Sequence, residues 1–355
     1  MNILWDFRLF SFGYRSRGVG NYVSAMADAI CEENSGNRII VWGEKKYVPR
    51  RFHEMSAQWI EYIPRTWKSD LLVIPFLIVK YHIDIFHYWI ALGPLFRIGL
   101  GIRHPFCKTC LTVHDCGVEY WDKVPICAST KKTRYWKIQK ILFPRADRII
   151  CNSYAIQTDI ERQFKRNLAK SIVLYPPLRY FGRNPKIERT KRFITLGGDA
   201  HKNTIAVMEA YQRFSKRHSG YSLVVLGEHD CMKTDIAGVS FETMERYSEY
   251  LENAAGLIVC SFYEGLGLPV VEGMSRDCPL VLSDIPVFHE ICPEGSIFVD
   301  PYESASIARG MEECALNGEE WAKKSSQGAA RYREMSADAG KKWIGVYHDL
   351  KKKEL

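Results

Sequence analysis

Two carboxylates, Glu264 and Glu272, bracket a glycine-rich turn with seven residues between them: Glu264-Gly265-Leu266-Gly267-Leu268-Pro269-Val270-Val271-Glu272. The apolar run Gly256–Cys260 before it reads as a buried parallel strand, and an apolar helical pattern follows from Leu268 to Met274. A strand, a glycine turn and a helix start together aim backbone N–H groups at an anion. The flanking carboxylates repel phosphate but accept hydrogen bonds from hydroxyls. The segment therefore suits a phosphorylated sugar. A glycosidase acid/base pair is the competing reading. Gly265, Gly267 and Pro269 weigh against it, because they turn the chain. Glu264 then stands at the entry of the turn and Glu272 about one turn inside the helix, addressing different parts of an extended ligand.

Three other loops carry chemistry. Gly197-Gly198-Asp199-Ala200-His201-Lys202-Asn203 follows the strand pattern Arg192–Leu196. Lys202 is a point charge placed to neutralise a diphosphate, at a helix start where the macrodipole disfavours a cation without a partner. Arg17-Gly18-Val19-Gly20-Asn21 ends a basic loop before a helix. Gly18 and Gly20 allow close backbone approach, although a G-x-G pair also serves turns for steric reasons. His114-Asp115 follows the apolar strand Cys110–Val113. A histidine there can donate to a substrate hydroxyl or contact an anionic leaving group; a structural His–Asp pair is the alternative.

These loops need scaffolding, and strands alternating with helices supply it through both halves. Strands are expected at Asn2–Trp5, Arg38–Trp42, Ile83–His87, Thr109–Val113 and Arg148–Cys151. Helices are expected at Asn21–Cys31, Lys131–Phe143 and Ser153–Phe164, the last with Ser153 as N-cap. The turn-rich segment 179–191 reads as a linker between domains 1–178 and 192–335. The second half continues with helix Asn203–Phe214, strand Tyr221–Leu226, helix Glu242–Glu252, and strands Leu280–Leu282 and Ile297–Val299. A helical tail from Ser304 breaks at Asn317-Gly318, and residues 336–355 are expected to pack back on the N-terminal domain. The fold class is thus α/β, two Rossmann-like doubly wound parallel-sheet domains facing across a deep cleft, with ligands beyond the carboxyl ends of the strands.

Composition narrows the function. At 355 residues the chain fits two domains, with 46% hydrophobic and 25% charged residues. The start Met1–Asp6 reads as a strand rather than a signal peptide. Leu71–Val79 contains Pro75 and is too short to span a bilayer, so the chain reads as cytoplasmic, at most peripheral on the inner face of the membrane. Eleven cysteines, an odd and scattered set, read as buried thiols. Cys107-x-x-Cys110 with Cys116 lacks a second ligand pair, so no metal is expected. Net charge is +8, but residues 1–180 hold 27 basic and 15 acidic side chains (+12), and residues 181–355 hold 22 and 26 (−4). The basic half, and the aromatic stretch with Trp67, Phe86, Trp89 and Phe96, suggest an anionic membrane surface, with a solvated basic face and core packing of most of these aromatics as the alternatives. No nucleic-acid-binding signature is present.

The motifs resemble one family. Ser261–Met274 looks like the E-x7-E signature of the retaining GT-B glycosyltransferases of family 4, and Pro279–Glu290, Val299-Asp300-Pro301, Ala146–Ser153, His114-Asp115 and Gly18-Val19-Gly20 match other parts of that pattern. The resemblance implies GT-B architecture and a hexosyltransferase that retains anomeric configuration without metal or cofactor. Its donor would be a nucleotide-diphosphate sugar, GDP-mannose first, and its acceptor a glycan or lipid-linked glycan of cell-surface polysaccharide synthesis. Glu272 would bind ribose hydroxyls and Glu264 the transferred sugar. Lys202 and the backbone of Gly198 and of Gly265, Leu266, Gly267 and Leu268 would hold the diphosphate, with Gly18 and Gly20 lining the donor site. His114 would contact the sugar or the leaving group. The arginine that many members pair with the lysine is missing here, with Gly198 and His201 in its place and Arg15 or Arg17 as substitutes. A sugar-nucleotide epimerase or phosphorylase of the same fold, and a non-catalytic nucleotide- or carbohydrate-binding protein, are the alternatives.

Overall fold

The computed structural model describes residues 1–12, 14, 18–34, 36–61, 67–89, 105–115, 146–164, 171–227 and 235–352. The expected helix Lys131–Phe143, together with Arg15, Arg17, Phe96 and Cys116, lies outside them. The chain divides into two compact units. The first takes the N-terminal half plus Ser336–Leu355; the second takes Leu178–Met335.

Among the described residues, the first unit holds β1 (Asn2–Asp6), β2 (Arg38–Trp42), β3 (Gln58–Ile60), β4 (Ile85–Tyr88), β5 (Lys108–Val113), β6 (Arg148–Cys151) and β7 (Ser171–Val173). They form one parallel sheet in the order β3-β2-β1-β4-β5-β6-β7. The second holds β8 (Arg192–Leu196), β9 (Ser222–Leu226), β10 (Val239–Glu242), β11 (Gly256–Val259), β12 (Leu280–Ser283) and β13 (Ile297–Val299), ordered β10-β9-β8-β11-β12-β13. The helices are α1 (Gly18–Glu33), α2 (Arg51–Met55), α3 (Trp67–Lys80), α4 (Tyr154–Phe164), α5 (Thr204–Ser215), α6 (Tyr247–Asn253), α7 (Leu268–Met274), α8 (Pro286–Ile291), α9 (Ser304–Leu316), α10 (Gly318–Met335) and α11 (Ala339–Lys352). Each sheet reverses its strand order once, between β1 and β4 and between β8 and β11, as doubly wound sheets do.

The central strands are apolar and fully buried, as helix-covered parallel sheets require. Ser153 caps α4, its hydroxyl accepting from Ile156 N–H at 3.1 Å. Three strands were not legible in the sequence: β3, β7 and β10. All lie at sheet edges and are only partly buried, so they carry no continuous apolar run. The pairing of β10 with β9 also corrects the expected helix Glu242–Glu252. Ladder hydrogen bonds claim Val239–Glu242, and helical structure begins at Met244 with a 3-10 turn that runs into α6 at Tyr247. α1 starts at Gly18, not Asn21. Gly18 and Gly20 therefore belong to its first turn, and neither has a positive φ. The segment 179–191 forms no helix or strand, but it is tied to the second unit. Tyr180 donates to Asp277 at 2.8 Å, and Arg189 donates to the carbonyls of Ala254 and Asp277.

α11 completes the first unit. Its Trp343 and Tyr347 enter an aromatic core with Trp5, His87 and Trp89, and both are fully buried. One donor chain crosses this core. Trp5 Nε1–H donates to the Tyr347 hydroxyl at 3.1 Å, Tyr347 donates to His87 Nδ1 at 2.7 Å, and His87 Nε2–H donates to Thr112 at 2.8 Å. Burial holds His87 neutral, well below the usual histidine range, which agrees with this arrangement. α11 also packs on α1 so closely that a Cβ at Gly340 would strike the carbonyl of Ala29. Gly340→Ala is therefore expected to destabilise the protein by about 1–3 kcal/mol through overpacking. Denaturant unfolding will measure this, and an unchanged midpoint would contradict the close packing.

Candidate functional site

The strand order of the second unit reverses between β8 and β11, and a small open pocket lies at the carboxyl ends of this pair. Its lining residues are Thr195, Leu196, Lys202, Ile258, Val259, Ser261, Glu264 and Pro269. Thr195 Oγ1 donates to the Ile258 carbonyl at 2.9 Å and ties the two strands below the opening. Lys202 and Glu264, distant in sequence, thus face one space.

Backbone geometry sets each of these side chains. The loop after β8 turns at Gly198, whose φ of +117° strains any residue with a Cβ. The nearest side-chain atom to that position is Lys202 Nζ, at 4.0 Å from an added Cβ. Lys202 ends a single 3-10 turn, Ala200–Lys202, rather than opening α5. Asn203 separates the two with a left-handed conformation, and its side chain donates to the Pro301 carbonyl at 2.6 Å. Phe262 N–H donates to the His201 carbonyl at 2.9 Å and locks this loop to the segment after β11.

Glu264 is oriented through two serines. Ser261 Oγ donates to Glu264 Oε1 at 2.8 Å, and Ser283 Oγ, from β12, donates to the Ser261 carbonyl at 2.6 Å. Gly265 and Leu266 carry the chain past the pocket. Gly267 caps α7 at φ +80°, ψ +56°, and an added Cβ there would lie 2.5 Å from Phe288 Cε1. Only glycine satisfies both demands. Leu268 and Pro269 follow as the first two residues of α7.

Glu272 lies just over one turn into α7 and outside the pocket lining. Burial raises its pKa above the usual carboxylate value, while the Tyr247 hydroxyl and the charge of Arg276 act in the opposite direction. Tyr247, from α6, was not a candidate in the sequence, because nothing local marks it. Its hydroxyl is buried beside the Glu272 carboxylate without a hydrogen bond of standard geometry. A hydrogen bond from Arg276 to the hydroxyl of Ser248 draws α6 against the end of α7. The Glu272 side chain is thus half-buried, with the Tyr247 hydroxyl and the Arg276 charge as neighbours, and its carboxylate can accept further hydrogen bonds.

In the first unit, His114 follows β5 and is 7% exposed. Its Nε2 lies 2.7 Å from the Trp89 carbonyl, so Nε2 carries the proton and donates. Tyr22 of α1 meets the ring edge-on at 4.8 Å. Burial lowers its pKa to about 4, outweighing the opposing bond to Trp89. His114 is therefore neutral near pH 7, and the remaining ring atom, Nδ1, is a hydrogen-bond acceptor. This corrects the expectation that it donates to a hydroxyl or a leaving group. Gly20 is buried in the first turn of α1 and Gly18 is exposed. Phe86 and Trp89, expected near a membrane, are core residues. Cys107 and Cys110 are buried thiols, and among the described residues no three His, Cys, Asp or Glu side chains group to hold a metal.

Two family models match, one described as Glycosyltransferase Family 4 over residues 16–178 and one as Glycosyl transferases group 1 over residues 179–331. The chain belongs to the family 4 GT-B glycosyltransferases. Among the relatives of this glycosyltransferase is the O-antigen chain mannosyltransferase RfbU of Salmonella typhimurium, 25% identical over 250 residues, which are 62% of this chain and 67% of that protein. The serotype-specific mannosyltransferase WbdA of Escherichia coli is 27% identical over 127 residues, 32% of this chain and 15% of WbdA. Solved structures show the same fold. Sucrose-phosphate synthase of Thermosynechococcus elongatus superposes with a TM-score of 0.74 at 17% identity over 100% of both chains. Anabaena HepE, solved with UDP and glucose, gives 0.72 at 13% identity over 98% of this chain and 100% of that one.

The raised pKa of Glu272 gives a stability prediction with a definite sign. Folding favours its protonated form, so its contribution is fully present below pH 4.5 and is lost as pH rises through the folded pKa. Glu272→Gln carries no charge at any pH. It should unfold at higher denaturant than the wild type near neutral pH, and the two should converge in acid. The wild type being the more stable at neutral pH would contradict the raised pKa of Glu272.

Proposed function

We propose that this glycosyltransferase moves a hexose from a nucleoside-diphosphate sugar to a glycan or lipid-linked acceptor in cell-surface polysaccharide synthesis, with retention of configuration and without metal. The observation that carries this reading is the pocket at the β8/β11 reversal, which places a cation, Lys202, and a carboxylate, Glu264, on one opening beside a glycine-built turn. Mannose as the sugar is supported by the O-antigen mannosyltransferase relatives, and GDP is the carrier we propose with it. HepE, solved with UDP-glucose, makes uridine the competing carrier.

Each group has a role that its surroundings allow. Lys202, with the turn from Gly265 to Leu268 and the backbone at Gly198, stabilises the diphosphate as negative charge develops on it, and this lowers the barrier to departure. Glu264, held by Ser261, accepts from a hydroxyl of the transferred sugar near the reacting carbon. Glu272 accepts from the ribose hydroxyls, for which its half-buried carboxylate has room. His114 presents Nδ1 to a sugar hydroxyl, and Gly18 and Gly20 let the first turn of α1 approach the donor. Among the described residues, no helix is long and apolar enough to cross a membrane. We further propose a cytoplasmic protein held peripherally on the inner face of an anionic membrane.

Thermal-shift measurements with UDP, GDP, ADP and TDP, followed by transfer assays with GDP-mannose and UDP-glucose, test the reading. Stabilisation by none of the four nucleotides would overturn it. Glu272→Ala should weaken nucleotide binding by roughly 1.5–3 kcal/mol for each hydrogen bond lost to the carboxylate. Glu264→Ala should mainly lower kcat. Equal and small effects of the two substitutions on binding and turnover would sink the assigned roles.

A further inference from the structure

Helix α3 is apolar on nearly all sides, a composition that suits a buried helix, yet one of its faces is open. Ile74, Leu77 and Ile78 are buried. Leu72, Phe76 and Val79, spaced along the opposite face, are 77%, 58% and 58% exposed. Phe106, 66% exposed, belongs to the same end of the first unit. It lies two residues before Lys108, whose N–H donates to the Asp84 carbonyl at 2.9 Å, and Ile83 N–H returns to Ile78 of α3 at 3.0 Å. Four of the eleven large apolar side chains exposed among the described residues thus gather along α3 and the amino-terminal edge of the first sheet. Scattered singly they would need no explanation; gathered, they mark an interaction surface.

The charge around them indicates the occupant. Lys80 ends α3, with its ammonium 5.4 Å from the Phe76 ring and 5.3 Å from that of Tyr81. Lys351, near the end of α11, reaches Asp84 at 3.2 Å and brings the exposed Lys352 to the same edge. Asp84 is occupied by Lys351 and by the Asn2 N–H at 2.7 Å. The half of the chain that builds this edge is strongly basic. Apolar side chains rimmed by lysines match a bilayer, where the rings and aliphatic chains enter the interface and the ammonium groups meet anionic headgroups.

We propose that this edge, built from Leu72, Phe76, Val79 and Phe106 with Lys80 and Lys352, seats the protein on an anionic phospholipid surface. The inference rests on the peripheral membrane contact proposed above and names the residues that make it. They differ from the aromatic residues the sequence suggested, since Phe86 and Trp89 are buried.

Co-sedimentation of the full chain with vesicles of phosphatidylglycerol, compared with vesicles of phosphatidylcholine, tests it. Binding to the former, weakened by salt, is expected. Leu72→Ser combined with Phe76→Ser should reduce binding at least tenfold. Lys80→Gln and Lys352→Gln should each reduce it about fivefold, because a lysine near an anionic surface contributes about 1 kcal/mol. All these positions are exposed, so unfolding temperatures should match the wild type, and the lysine variants test the surface even if the serine variant folds poorly. If the chain binds neither vesicle, both the membrane reading and this surface fail. If all variants bind phosphatidylglycerol like the wild type, only the surface fails. Equal binding to both lipids would overturn the role of the lysines. A dimer in solution that dissociates on Leu72→Ser/Phe76→Ser, with no vesicle binding, would assign the face to a second copy of the chain and overturn the proposal.

Discussion

The reversal of strand order between β8 and β11 is the constraint on which the second unit's site depends. Neighbouring parallel strands whose connections leave to opposite sides open a crevice at their carboxyl ends. Whatever follows β8 and β11 must border it, and here those segments are the Lys202 loop and the Glu264 turn. The crevice does not position side chains by itself. Thr195 ties the two strands together below it, and the Ser283–Ser261–Glu264 relay carries the register of β12 into the orientation of the carboxylate. The Phe262–His201 bond makes the two loops one body.

The two units treat buried polarity differently. In the first, Trp5, Tyr347, His87 and Thr112 satisfy one another in a single hydrogen-bonded chain, and His114 Nε2–H donates to the Trp89 carbonyl. Such networks rigidify a core because each member is paired. In the second, the half-buried Glu272 lies beside the buried Tyr247 hydroxyl, and folding disfavours its charged form. A folded chain tolerates that mismatch where a ligand completes the hydrogen bonding, and stability is traded for binding.

Much of this was legible in the sequence, for a physical reason. Strands inside a parallel sheet are buried on both faces and spell continuous apolar runs, so β2, β6 and β8 appear at the residues read from the sequence, as does β13, an edge strand that is itself wholly apolar. Edge strands have one free side and little burial. β3, β7 and β10 consequently look like loops, and β10 was absorbed into a helix. The carboxylates, the glycine turn and Lys202 stood out because their types contradict an ordinary core or helix start. Tyr247 did not, since a tyrosine on a short helix is unremarkable until its hydroxyl is found buried beside Glu272. The partner of His114 was not legible for a similar reason, because it is a backbone carbonyl that no side chain advertises.

Local pattern and chemistry therefore determined the α/β class, the two-domain organisation, the family and the residues that bear charge. Those properties follow from apolar periodicity and from glycines at turns, which act over a few neighbouring residues. Tertiary structure alone decided which atoms are available. It engaged the Nε2–H of His114 with Trp89, set Glu272 half-buried beside Tyr247, buried Phe86 and Trp89, and exposed Leu72, Phe76 and Val79 on a largely apolar helix. Hydrogen-bond partners and solvent exposure depend on segments far apart in the chain, and only their packing brings those segments together.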